Sequence, residues 1–180
     1  MRDAATAGQD GHDAAMRLLL MRHAKAAAGE GMPDHDRPLT EQGVRDAATM
    51  GRWLRDNGAE PDAVWCSSAL RVRQTWTAVA AALTGPPEPT YQGSVYQAGP
   101  AQLIELVRGF PATAGSALVI GHNPTMEQLL ALLTGEATRS MPTGAVAVLE
   151  LEGSWSAPTG ARLAAFGAPG GTPGAGASSG

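Results

Sequence analysis

Cysteine is nearly absent: the chain of 180 residues contains one, Cys66. A single thiol excludes an internal disulfide and fits a reducing compartment. It sits in Ala63-Val64-Trp65-Cys66, an apolar run that reads as core rather than as the setting of a reactive thiol. Aromatic residues are few, at 4%, and Trp53, Trp65 and Trp76 fall in helical and strand patterns that read as packing. Charge excess is also missing, since the net charge is only −4. That balance argues against a nucleic-acid or anionic-membrane surface. No apolar run approaches the ~18 residues needed to span a bilayer. The opening MRDAATAGQDGHDAA lacks the continuous apolar segment of a signal peptide. A soluble cytoplasmic protein with neither nucleic acid nor membrane as partner is expected, and the pattern carries no oligomeric signal.

What is present suits one domain, with an ordinary apolar fraction of 43%. Residues 1–15 are rich in Ala, Gly and Asp without periodicity and read as a flexible leader, with Met16 a second plausible start and no role for His12. Residues 16–166 form the expected domain. Residues 167–180, dominated by Gly, Ala, Pro and Ser, read as a disordered tail.

Within the domain, Leu18-Leu19-Leu20-Met21 is a buried-type strand that delivers Arg22-His23 at its end. An aperiodic loop with Gly29, Gly31 and Pro33 follows. Thr40 is the N-cap of a helix over about 41–57, with Val44, Ala47, Ala48, Gly51 and Leu54 on its apolar face and Gly58 as terminator. A second strand over 63–67 leads into a helix over 69–83, and a short strand is expected at 89–92. Gly99-Pro100 opens a helix to about Arg108, and Ala117-Leu118-Val119-Ile120-Gly121 is a strand that delivers His122-Asn123-Pro124. A helix from Thr125 and strands at 146–151 and 161–166 complete the domain. This alternation predicts an α/β fold, a mostly parallel doubly wound sheet with helices on both faces in a three-layer α/β/α sandwich.

Three strand ends therefore carry polar groups: Arg22-His23, Ser67-Ser68 leading to Arg71, and His122-Asn123. In open α/β sheets ligands bind outside the carboxyl ends of the strands, so these groups can converge on one rim. Those three segments contain no carboxylate. Two arginines and two histidines without an acidic partner suit a dianion such as phosphate better than a metal ion. Neutral imidazole in such a cage is a competent nucleophile near neutral pH.

Four segments then carry a family resemblance: Leu20-Met21-Arg22-His23-Ala24, Asp36-Arg37-Pro38-Leu39-Thr40-x-x-Gly43, Ser67-Ser68-x-x-Arg71-x-x-Gln74-Thr75 and Val119-Ile120-Gly121-His122-Asn123-Pro124. In order and spacing they resemble the histidine phosphatase superfamily, and among its branches the short, single-domain SixA-type phosphohistidine phosphatases. The resemblance implies a phosphoglycerate mutase-like fold and a phosphatase that needs no cofactor and no metal. It implies that His23 is the nucleophile and that Arg22 and Arg71 clamp the phosphate. It implies that His122 stabilises the transferring phosphoryl group. Ala24 stands where the superfamily often has glycine. The expected substrate is a phosphorylated protein carrying phosphohistidine. The alternatives are a small phosphomonoester or phosphoramidate, and more remotely a non-catalytic phosphate-binding module.

Superfamily members that cleave phosphomonoesters usually carry an acid between the third strand and the next helix. The corresponding stretch from Tyr91 to Pro100 has neither Asp nor Glu. Asp36 and Glu88 are the candidates left to supply such a proton. Arg37 is open between orienting its loop, pairing with Asp36 and direct catalysis. Solvated or surface-paired roles are expected for Lys25, His35 and Arg73.

Overall fold

The computed structural model describes residues 15–171, so the expected leader (all but Ala15) and positions 172–180 of the expected tail lie outside the described residues. The strands are β1 (Met16–Arg22), β2 (Ala63–Ser67), β3 (Pro89–Gln92), β4 (Ser116–Gly121), β5 (Val146–Ser154) and β6 (Ala157–Gly167). The helices are α1 (Glu41–Asp56), α2 (Leu70–Ala80), the single turn α3 (Gly93–Tyr96), α4 (Pro100–Val107) and α5 (Thr125–Thr134). The strands form one sheet in the order β3-β2-β4-β1-β5-β6. The first four strands run parallel, β5 is antiparallel to β1, and β6 is antiparallel to β5.

The run Leu18 to Met21 has no alternation in its sequence because both of its faces are covered. Leu18 and Leu20 enter a core with Leu103 and Val107 of α4 and Met126 and Leu129 of α5. Leu19 and Met21 enter a second core with Ala47 and Leu54 of α1 and Val72 and Val79 of α2. β4 divides in the same way, Ala117 and Val119 to the first core and Leu118 and Ile120 to the second. This is the expected three-layer sandwich.

α1 begins at Thr40, whose hydroxyl oxygen accepts the Gly43 N–H at 3.0 Å, as the sequence predicts. Its buried stripe takes in Gly43 and Met50 in place of the predicted Val44 and Ala48. Gly43, Ala47, Met50, Gly51 and Leu54 are buried, whereas Val44 is 45% exposed. The far end of the chain also differs. β6 starts earlier than expected and continues through Gly167, which pairs with Val146 and packs against Trp53 and Met50. Gly167 therefore belongs to the sheet rather than to a disordered tail. Pairing with β5 extends the strand, and composition carries no trace of that.

The loop between β1 and α1 is tied at its base. Ala27 N–H donates to the Pro38 carbonyl at 2.8 Å, Thr40 N–H to the Lys25 carbonyl at 2.9 Å, and Leu39 N–H to Gln74 Oε1 at 2.7 Å. A 3₁₀ turn, Asp34–Asp36, lies within it. Gly43 sits against this base, where a Cβ would overlap the Lys25 carbonyl oxygen. Gly43→Ala is therefore expected to destabilise the protein by about 2 kcal/mol or more, the range of an overpacked site that must shift backbone. Chemical denaturation measures it, and a midpoint equal to wild type would refute the close approach.

Candidate active site

Three neighbouring strands of the parallel ladder, β2, β4 and β1, end level with one another, with Arg22 opposite Gly121 and Cys66 opposite Ile120. His23 and His122, which follow β1 and β4, and Ser67, which closes β2, emerge on one rim. The convergence expected from sequence is present: the His23 and His122 rings stand 5.1 Å apart between centroids.

His23 Nδ1 lies 2.8 Å from the Ala24 carbonyl oxygen. A carbonyl can only accept, so Nδ1 carries the hydrogen and Nε2 keeps its lone pair. Burial of the ring lowers its pKa from 6.5 to about 4, against the opposing pull of that carbonyl and with help from Arg71, Arg22 and Arg37. For His122 burial again comes first, followed by His23 and Arg71, and the pKa falls to about 3. Its Nδ1 is 3.3 Å from Arg71 Nη2, which can only donate, so the hydrogen of the neutral ring is on Nε2 and points to Ser67 Oγ at 2.8 Å. Both histidines are neutral at physiological pH.

Arg71 is 6% exposed. Its Nη1 donates to the Asp34 carbonyl at 2.6 Å and its Nη2 to Asp34 Oδ2 at 3.0 Å. Arg22 donates through Nη1 to the Met141 carbonyl at 2.9 Å, while its buried Nε has no hydrogen-bond partner among the described residues. Asn123, also at this rim, holds the same 141 segment through the Met141 carbonyl at 3.0 Å.

The structure adds residues to which the sequence assigned no part in the site. Asp34 arrives from the β1–α1 loop and supplies the carboxylate that the three strand-end segments lack. Its Oδ1 accepts from Arg37 Nη1 at 2.8 Å, and its Oδ2 accepts from the Tyr96 hydroxyl at 2.7 Å as well as from Arg71. Those hydrogen bonds, Tyr96 first and then Arg37, hold the Asp34 carboxyl far below the usual carboxylate range. Ser67 and Thr75 are fully buried. Thr75 Oγ1 donates to the Arg71 carbonyl at 2.7 Å and accepts the Ala24 N–H at 3.1 Å, which locks the β1 end to α2. The strand-end position of Ser67 and the Arg71-x-x-Gln74-Thr75 spacing signalled these two props in advance, whereas nothing marked Asp34.

Other expectations are corrected or narrowed. Glu88 is exposed and precedes Pro89, which pairs with Val64, whereas the site lies beyond Ser67 at the opposite end of that ladder. Four residues separate Glu88 from Gln92, the partner of Ser67, ~13 Å along the strand, so Glu88 is not at the site. Asp36 pairs with His35 Nδ1 at 3.2 Å, and His35 Nε2 meets Ser68 Oγ at 3.0 Å. Arg37 orients the loop through Asp34 and the Ala27 carbonyl and does not pair with Asp36. Arg73 stays on the surface, donating to the Ser68 carbonyl and lying over the Tyr91 ring. Cys66 is fully buried, and burial pushes its thiol pKa up. Among the described residues no cluster of His, Cys, Asp or Glu could hold a metal ion, and no helix is long and apolar enough to cross a membrane.

Fold and site together define a hydrolase of the phosphate-handling α/β class, and the chain belongs to the histidine phosphatase superfamily. The profile of the Histidine phosphatase superfamily (branch 1) matches residues 18–92. The phosphohistidine phosphatase SixA of Escherichia coli is 31% identical over 142 residues, covering 77% of this chain and 88% of that protein. A SixA-type structure from Nakamurella multipartitia superposes with a TM-score of 0.78 at 34% identity, covering 87% of this chain and 98% of that one. The protein histidine phosphatase SixA complexed with tungstate superposes at 0.70 with 28% identity, covering 86% and 97%.

The depressed histidine pKa values have a measurable consequence. As pH falls below 6.5 the unfolded chain takes up protons that the folded rings refuse, so stability falls from pH 6.5 down to about 4 on account of His23 and on to about 3 on account of His122. Ring-proton NMR should give midpoints near 4 for His23 and near 3 for His122. A midpoint at the ordinary 6.5 for either would mean a solvated ring and reject this geometry.

Proposed function

We propose that this chain is a metal-independent phosphatase that takes the phosphoryl group from protein-borne phosphohistidine onto His23. One observation carries the reading: the Nδ1 hydrogen of His23 is committed to the Ala24 carbonyl, which leaves a neutral Nε2 lone pair beside two arginines and a second histidine. His23 Nε2 attacks phosphorus as the bond from phosphorus to the donor nitrogen breaks, and that nitrogen keeps the electron pair. Water then cleaves the His23–phosphorus bond, releases inorganic phosphate and restores His23.

Arg22 and Arg71 supply the positive charge for the equatorial oxygens. The unmatched Arg22 Nε supports this role, because a buried donor without an acceptor costs about 1–3 kcal/mol unless a ligand provides one. His122 donates a hydrogen bond once the incoming dianion raises its proton affinity. The tungstate bound to the related SixA structure is itself a tetrahedral oxyanion, which favours the same reading of this rim.

The leaving group separates phosphohistidine from esters. The stretch from Tyr91 to Pro100 has no acid, Asp34 is held too firmly ionised to give a proton, and Asp36 is engaged by His35 Nδ1 instead. An alkoxide needs that proton, whereas imidazole protonated on its other nitrogen leaves neutral. General acid catalysis is worth ~10²–10⁴-fold, so kcat/KM for a phosphohistidine protein should exceed that for an alkyl phosphate by about that factor. A ratio near one with a fast alkyl rate would reject the substrate assignment.

The intermediate is tested directly. Enzyme quenched during turnover should carry phosphate that is labile in acid and stable in alkali, and His23→Ala should lose both label and turnover. Label on a serine, or an active variant, would overturn the mechanism. Chelators should leave the rate unchanged and vanadate should inhibit, because arginines stand where other phosphoryl-transfer enzymes place Mg²⁺. A strict requirement for a divalent ion would contradict this.

A further inference from the structure

Asp34 is an acid bound to the buried arginine of an anion site, and this calls for a reason. Its side chain is 52% exposed, while that of Arg71 beneath it is 7% exposed. The groups follow one another in the order His23, His122, Arg71, Asp34, each in contact with or close beside the next. The carboxylate is thus separated from the His23 ring by His122 and Arg71 and stands on the solvent side of the guanidinium, where the departing part of a bound donor can reach it. Arg71, Arg37 and Tyr96 hold both of its oxygens in place. A carboxylate offers about four lone-pair positions, so one remains for a further donor. The His35 and Tyr96 rings meet edge to face at 5.2 Å beside it, and Tyr96 meets His122 in the same way at 5.4 Å. A fixed carboxylate against aromatic edges suits a flat, cationic ring.

We propose that Asp34 is the specificity-determining residue for the leaving group, selecting phosphoryl donors whose departing part is cationic over those whose departing part is neutral or anionic. The inference rests on the phosphatase reading above and deepens it. With a phosphoimidazole the donor ring enters protonated on its distal nitrogen, and that N–H donates to Asp34. The phosphorus–nitrogen bond breaks, its electron pair stays on the ring nitrogen, and imidazole leaves neutral with its distal proton. With an ester the same carboxylate faces an oxygen gathering negative charge, and the two repel. Attraction in one case and repulsion in the other act in the same direction on selectivity.

The test compares two aryl phosphates that differ in the charge of the departing ring, para-trimethylammoniophenyl phosphate and para-carboxyphenyl phosphate, with N-phosphoimidazole against para-nitrophenyl phosphate as a second pair. In each pair the cationic over the other kcat/KM ratio should fall by about tenfold in Asp34→Asn, the scale of one partly exposed unit charge, and return in Asp34→Glu. If Asp34 serves only to prop Arg71, both members of a pair fall by one factor, the ratio does not move, and the proposal is overturned. Should the asparagine variant not fold, the wild-type ratio itself decides: screening by salt must lower it, and a ratio indifferent to ionic strength rejects the idea. A wild-type enzyme that forms no phosphohistidine removes the phosphatase reading, whereas an active one with an unmoved ratio removes this inference alone.

Discussion

The parallel ladder of β2, β4 and β1 is the constraint on which the rest depends. Its registers bring three strands to an end on one level, with His23 and His122 just past the ends of β1 and β4 and Ser67 as the last residue of β2. The same registers place alternate side chains of β1 and β4 in the two cores. A slip of one residue would exchange the faces of Leu18 to Met21 and carry His23 off the rim with them. Core packing and site geometry are thus one choice, and the apolar surface of both layers defends the position of the imidazoles.

Around that rim the molecule manages an excess of positive charge. Arg22, Arg71 and Arg37 surround two rings that burial keeps uncharged, and Asp34 is the carboxylate that balances the buried guanidinium. A buried charge left without a partner is expensive, and here the partner comes from a loop rather than from the sheet. Tying the loop down is therefore part of holding Arg71 in place. Gln74 and Thr75 of α2 hold the backbone of that loop and of the β1 end, while the same helix presents Arg71 one turn earlier. Helix α2 consequently sets the distance between the Arg71 guanidinium, the histidine rim and the loop.

Much of this was legible in the residue pattern because it is local. Apolar runs of four or five residues marked β1 and β4, Thr40 and Gly58 bracketed α1, and the polar pairs after strand ends located His23, His122, Arg22 and Arg71. Tertiary structure alone decided which acid reaches the site. Asp34 meets Arg71 across 37 positions and Tyr96 across 62, contacts set by how a loop folds back on its helix rather than by any local period. The ladder register, not composition, put Glu88 at the wrong end of the sheet and drew Gly167 into it. The protonation of each histidine was likewise settled by its neighbours: a carbonyl at Nδ1 of His23, an arginine and a serine on either side of His122. Periodicity places a side chain on an element, but the charge and tautomer it carries depend on groups far away in sequence that pack against it.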